Sequence, residues 1–168
     1  VPSKALFVAG GVGMLISWVA VFLLPAKYGA FDILFVRLNI SNIFYYFLLA
    51  VGLAVASIGY SGVKRNYGVG LGTTGFIFGM VTSLFMFVLS ALTCIVFASP
   101  SYNILDDPLY TIYVVFAAVS IVLFGALQIL WGVIHIISRR CTGNSELVMA
   151  TGIMLAISGT FMVSLIAA

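Results

Sequence analysis

The chain has 168 residues, of which 64% are hydrophobic and only 7% are charged. Soluble domains carry about 25% charged residues, so this composition excludes a water-facing globular surface and makes lipid the solvent for most of the chain. The net charge of +3 lies in short stretches between apolar runs, which fits membrane topology and excludes a nucleic-acid surface.

A helix needs about 20 mostly apolar residues to cross the hydrocarbon of a bilayer, and five segments meet that length. The first is 5–24, "ALFVAGGVGMLISWVAVFLL", stopped by Pro25. The second is 43–60, the third 69–98, the fourth 111–138 and the fifth 147–168, and none of the five contains Asp, Glu, Lys or Arg. The third and fourth exceed the required length, so they are expected to tilt or to project beyond the lipid. The predicted fold is all-α: a single membrane domain over 1–168, built as a bundle of five transmembrane helices. The first apolar run is longer than the usual signal-peptide core of about 7–15 residues, so it is read as a retained helix. The alternative is four helices preceded by an N-terminal targeting segment. A chain starting at Val1 rather than Met points to processing or trimming.

Basic residues in short loops mark the cytoplasmic side. Lys4, Lys64 and Arg65 in the 61–68 loop, and Arg139 and Arg140 in the 139–146 loop, fall on one side of a five-helix bundle. Lys27, Arg37, Asp32, Asp106 and Asp107 fall on the other. The count places the N-terminus in the cytoplasm and the C-terminus outside. On the outer side, residues 25–42 include the alternating "VRLNIS", read as an extended segment, and "SPSYNILDDPLY" reads as a structured turn. Asn39-Ile40-Ser41 fits the N-glycosylation acceptor pattern, close to the start of the second helix. Cys94 and Cys141 are assigned to opposite ends of the membrane, too far apart for a disulfide, and Cys141 is read as an unmodified loop thiol.

Small residues recur at spacings of four on three helices. Gly75, Gly79 and Ser83 form one stripe, with Gly68 and Gly72 repeating the spacing before it. Ala9, Gly13 and Ser17 form a second, and Gly152, Ala156 and Thr160 a third. Lipid gives helices little hydrophobic reason to associate, and small residues permit the close backbone approach that replaces it. Packing within the bundle is the expected use of these stripes, with an intermolecular contact as the alternative. Hydroxyls at Ser57, Thr82, Ser83, Ser90, Thr93, Ser120, Ser158 and Ser164 are expected to bond their own helices.

The stretch "ALQILWGVIHIISRRC" holds the chain's one histidine, His135, on a stripe with Gln128, Trp131 and Arg139. Intramembrane polar residues are functional candidates by default, so His135, Trp131 and Gln128 are the candidate contacts for a haem or quinone. A haem bound by two histidines needs a second one, and a proton relay needs membrane carboxylates. Neither is available in this chain. The plainer reading puts His135 near headgroups or a neighbouring carbonyl, Trp131 at the interface, and Gln128 against an adjacent helix. No cofactor, metal site or catalytic set is therefore assigned. In type the chain resembles accessory subunits of large membrane complexes, including respiratory and other energy-converting ones. The expected function is a non-catalytic accessory or structural subunit, with the lipid bilayer and other membrane subunits or copies of itself as partners. A small oligomeric transporter or channel is the alternative, and a redox subunit binding haem or quinone near His135 is the third reading.

Overall fold

A computed structural model describes residues 4–22, 40–98, 108–142 and 144–167. The described residues form five α-helices: α1 (Lys4–Phe22), α2 (Ile40–Tyr67), α3 (Leu71–Ala98), α4 (Pro108–Ser138) and α5 (Ser145–Ala167). A 3₁₀ turn over Arg139–Cys141 follows α4. The chain is an all-α membrane bundle: α2 to α5 are each long and apolar enough to cross a bilayer, and α1 is a shorter apolar helix. Helices are the available solution because an apolar segment in lipid must satisfy its backbone polar groups internally. Asn39 and most of the two segments assigned to the outer side lie outside the described residues, but the end of "VRLNIS", Ile40 and Ser41, is helical in α2 and not extended, and the end of "SPSYNILDDPLY", from Pro108, is the first turn of α4.

The second helix is longer than its apolar run predicts. It continues through Lys64 and Arg65, which lie in its last turn, where positive charge complements the helix dipole. These two residues therefore belong to a helix and not to a 61–68 loop. The stop is Gly68, whose φ of 70° is cheap only for a residue without Cβ, and its N–H bonds Lys64 O at 2.9 Å. That is the αL helix cap. It leaves a very short link to α3, whose first turn is entered through N–H bonds from Gly72 to Val69 O and from Thr73 to Gly70 O. At the start of α4, Pro108 sits at the first helical position, where its missing N–H costs nothing.

Neighbours in sequence are neighbours in space: α1 packs on α2, α2 on α3, α3 on α4 and α4 on α5, with the α3–α4 contact the sparsest. Three of these interfaces bring backbones together, the α2–α3 one at Gly72, where a Cβ would lie 2.7 Å from Tyr60 O and from Lys64 N. A Cβ on Gly10 would lie 2.9 Å from Gly59 Cα, and one on Gly59 would lie 2.7 Å from Gly10 Cα. Further along, Gly13 lies against Gly52 and Ala56, and Ser17 against Gly52. On the other flank, a Cβ on Gly152 would meet Gly132 O at 2.7 Å, and one on Gly125 would meet Gly159 O at 2.8 Å. The first stripe thus runs through Gly10, Gly13 and Ser17, with Ala9 half-buried beside it. On α5, Gly159 takes the place expected of Thr160, which is exposed.

The interior sits mainly on α2, α3 and α4, with Leu49, Leu53, Leu89, Leu127, Trp131 and Ile134 almost wholly buried. Half-buried Phe85 of α3 stacks on Phe116 of α4 at 5.1 Å, while Phe47 of α2 and Phe87 of α3 meet at 6.2 Å on the exposed face. The outer helices carry their bulk outward, with Leu15 and Trp18 of α1 and Met154 and Ile157 of α5 exposed. Small residues inside and large ones outside is the arrangement that lipid solvation favours.

Gly13→Leu should lower stability by about 1–3 kcal/mol, the usual cost of overpacking, because its Cβ alone collides with α2 backbone that no rotamer change can relieve. Gly11→Leu, with open space around the added atom, should leave stability nearly unchanged. Thermal unfolding in a mild detergent measures both, and equal melting temperatures would refute the assigned register.

Candidate functional site

The candidate residues of "ALQILWGVIHIIS" lie on the last turns of α4, which serves two neighbours at once. Gly125 and Gly132 face α5, while Trp131 and Ile134 face α3. Those faces are offset around the helix because Trp131 and Gly132, adjacent in sequence, point about 100° apart on a 3.6-residue turn.

Trp131 is 2% exposed. Its ring is therefore covered by neighbouring helices and is not presented to headgroups. Its indole N–H donates to Gly75 O of α3 at 3.1 Å. A carbonyl has two lone pairs, so Gly75 O can serve its own helix and the indole together. The absence of side chains at Gly75 and Gly79 makes room for the ring: a Cβ on Gly75 would press on Ile134 and Trp131, and one on Gly79 on Ser57 and Trp131. A face of the indole is covered by Tyr60 of α2, with ring centroids 4.5 Å apart and planes 11° from parallel. One side chain of α4 is thereby held by both α2 and α3. Tyr60 has no distinctive signal in the sequence beyond being an aromatic near a membrane boundary, and its partnership arises only from the fold.

His135 follows one turn later. Its Nδ1 lies 2.9 Å from Trp131 O and 3.3 Å from the Tyr60 hydroxyl, and its ring meets Tyr60 edge-on at 5.7 Å. A carbonyl only accepts, so the geometry assigns the Nδ1 proton to the bond with Trp131 O. The Tyr60 oxygen is the second, longer contact of that nitrogen, and Nε2 keeps the lone pair. The buried Gln128 Oε1 has no hydrogen bond, and neither has the Ser138 hydroxyl. Among the described residues, no three His, Cys, Asp or Glu side chains converge as a metal site would require.

Seven of the eight hydroxyls singled out in the sequence, all but Ser158, bond backbone, and two of the seven differ from expectation. Ser17, Ser57, Thr82, Thr93 and Ser120 each bond the carbonyl four residues earlier in their own helix. Ser83 and Ser90 instead cross to α2, donating to Ala50 O at 2.7 Å and Ile43 O at 2.9 Å. Ser83 therefore continues the Gly75–Gly79 stripe as an interhelical hydrogen bond. Cys94 and Cys141 are free and exposed.

Comparison with known protein families, with characterised proteins and with solved structures finds no significant match. The arrangement at Trp131 is best described by what it does mechanically: it joins the α4–α5 pair to the α1–α2–α3 unit where that contact is sparsest.

Trp131→Ala should cost about 3–5 kcal/mol, the usual loss for a buried aromatic. Trp131→Phe, which keeps the ring stack but loses the bond to Gly75 O, should cost about 1–2 kcal/mol. His135→Gln should have the smallest effect of the three, because its bonds are to its own helix and to a partly satisfied tyrosine. Detergent melting temperatures give the order. A His135 variant less stable than Trp131→Ala would reverse the assignment of Trp131 as the joint.

Proposed function

We propose that this chain is a non-catalytic accessory subunit that packs against other membrane proteins in a larger complex. The observation that supports this reading is the engagement of its intramembrane polar groups. Eight of them, from Ser17 to Trp131, donate to helix backbone, where a transport path would use such groups to line a cavity or bind a solute. The bulky outward faces of α1 and α5 are of the kind that lipid or another subunit covers. Purification of the tagged chain in mild detergent should return the same companion chains in fixed ratio from independent tags at either terminus. A monodisperse chain without companions that moves solute in liposomes would refute the reading in favour of a transporter. A purified chain with a visible absorption band lost in His135→Phe would refute it in favour of a redox subunit.

For orientation we propose that the N-terminus is cytoplasmic and the C-terminus outside. Contacts of Leu6 with Gly62, of Gly72 with Tyr60 and Lys64, and of Gly152 with His135 support the placement of Lys4, Lys64, Arg65, Arg139 and Arg140 at one end of the bundle. Five basic residues at one end favour the cytoplasmic side for that end. In a background lacking Cys94 and Cys141, an impermeant thiol reagent applied to intact cells should label Asn103→Cys and spare Asn144→Cys. The opposite pattern would invert the topology.

A further inference from the structure

The turn between α4 and α5 carries a second feature of the basic end. A cleft of about 640 Å³ opens there, lined by Arg139, Arg140, Ser145, Glu146, Met149 and Ile153 among others. Its two arginines are poorly paired. Arg139 Nη1 donates to the Met149 sulfur, a weak acceptor for a charged donor. Among the described residues, neither guanidinium has a carboxylate partner. Each guanidinium offers five N–H donors in a planar fork that matches phosphate oxygens. The same wall holds the start of α5 at Ser145, where first-turn N–H groups have no acceptor within the helix. Glu146 is the single carboxylate on the lining, against two guanidinium groups.

The remaining wall is apolar. Met149 and Ile153 line the cleft, and Ile153 belongs to a run of exposed apolar residues on α5 with Met154, Ile157 and Phe161. A cationic pocket that opens onto a lipid-facing apolar flank has the form of an amphiphile's binding site. A free phosphate would use only the polar wall.

We propose that this cleft binds an anionic phospholipid. Arg139 and Arg140 hold the phosphodiester, Glu146 accepts hydrogen bonds from headgroup hydroxyls, and an acyl chain lies along Met149 and Ile153. The site does not depend on the accessory-subunit reading.

Delipidated full chain in detergent provides the test, with melting temperature followed against added phosphatidylglycerol, phosphatidylcholine or inorganic phosphate. Phosphatidylglycerol should raise the melting temperature in a saturable way, with phosphatidylcholine much weaker. Arg139→Gln/Arg140→Gln should weaken phosphatidylglycerol binding on the order of tenfold or more, the scale of two arginines at a lipid surface. Lys64→Gln/Arg65→Gln, which removes the same charge from the same end of the bundle, should weaken it less than about twofold if the cleft and not the general surface potential binds the lipid. Equal loss in the two double variants would overturn the site, since it would reduce the effect to diffuse charge. Inorganic phosphate as effective as phosphatidylglycerol would also overturn it, by placing the ligand in solution. A photoreactive phosphatidylglycerol on the unmutated chain makes the result independent of variant folding. Crosslinks should fall within 139–153, and crosslinks confined to other segments would overturn the site.

Discussion

An apolar helix in lipid gains almost nothing by exchanging an acyl chain for another apolar helix. Association must come from contacts that acyl chains cannot match, and in this protein those are backbone against backbone. Gly10 on Gly59, Gly13 on Ala56, Gly132 on Gly152 and Gly125 on Gly159 are sites where any side chain would force the helices apart. The remaining packing follows from them. Once α1 and α2 touch along one line, and α4 and α5 along another, the bulky residues of α1 and α5 have only the outside left to occupy.

Between those two close-packed interfaces the direct contact is Tyr60 of α2 against Trp131 and His135 of α4. The larger connection runs through α3, and its hold on α4 depends on a different principle. A large amphipathic side chain, Trp131, fills the space that Gly75 and Gly79 leave open, donates to Gly75 O and is covered by Tyr60. Small-on-small contact gives proximity, whereas the indole adds direction, because its N–H reaches its acceptor from one side only. His135 extends the same cluster by one turn and bonds chiefly to its own helix. Trp131 and His135 thus have structural partners within the chain, whereas the amide oxygen of Gln128 has none.

The basic end has a different character from the interior. Lys64 and Arg65 close α2 with charge suited to a helix C-terminus. Arg139 and Arg140 lie beyond α4 beside the first turn of α5 and border an open cleft. The same residue types therefore serve two ends: one pair completes a helix, while the other faces a space between two helices where an anion has donors on several sides.

The membrane class, the all-α fold and the approximate positions of the long helices were determined by the sequence itself, because hydrophobic length and the scarcity of charge are local properties. Helix ends were legible only where their chemistry was local too. The stop at Gly68 depends on a left-handed backbone that no apolar count detects, so α2 ran seven residues past its expected end. Small-residue stripes were visible, but their register was not. A strict spacing of four selects Ala9 and Thr160, whereas two antiparallel helices that coil about each other keep contact at about 3.5 residues. That spacing selects Gly10 with Gly13 and Gly152 with Gly159. The tertiary structure alone decided that Trp131 is buried, that Tyr60 covers it and that Ser83 and Ser90 bond across to α2. Each of these depends on which helix lies beside which, and the bare periodicity of one helix carries no information about the face its neighbour presents.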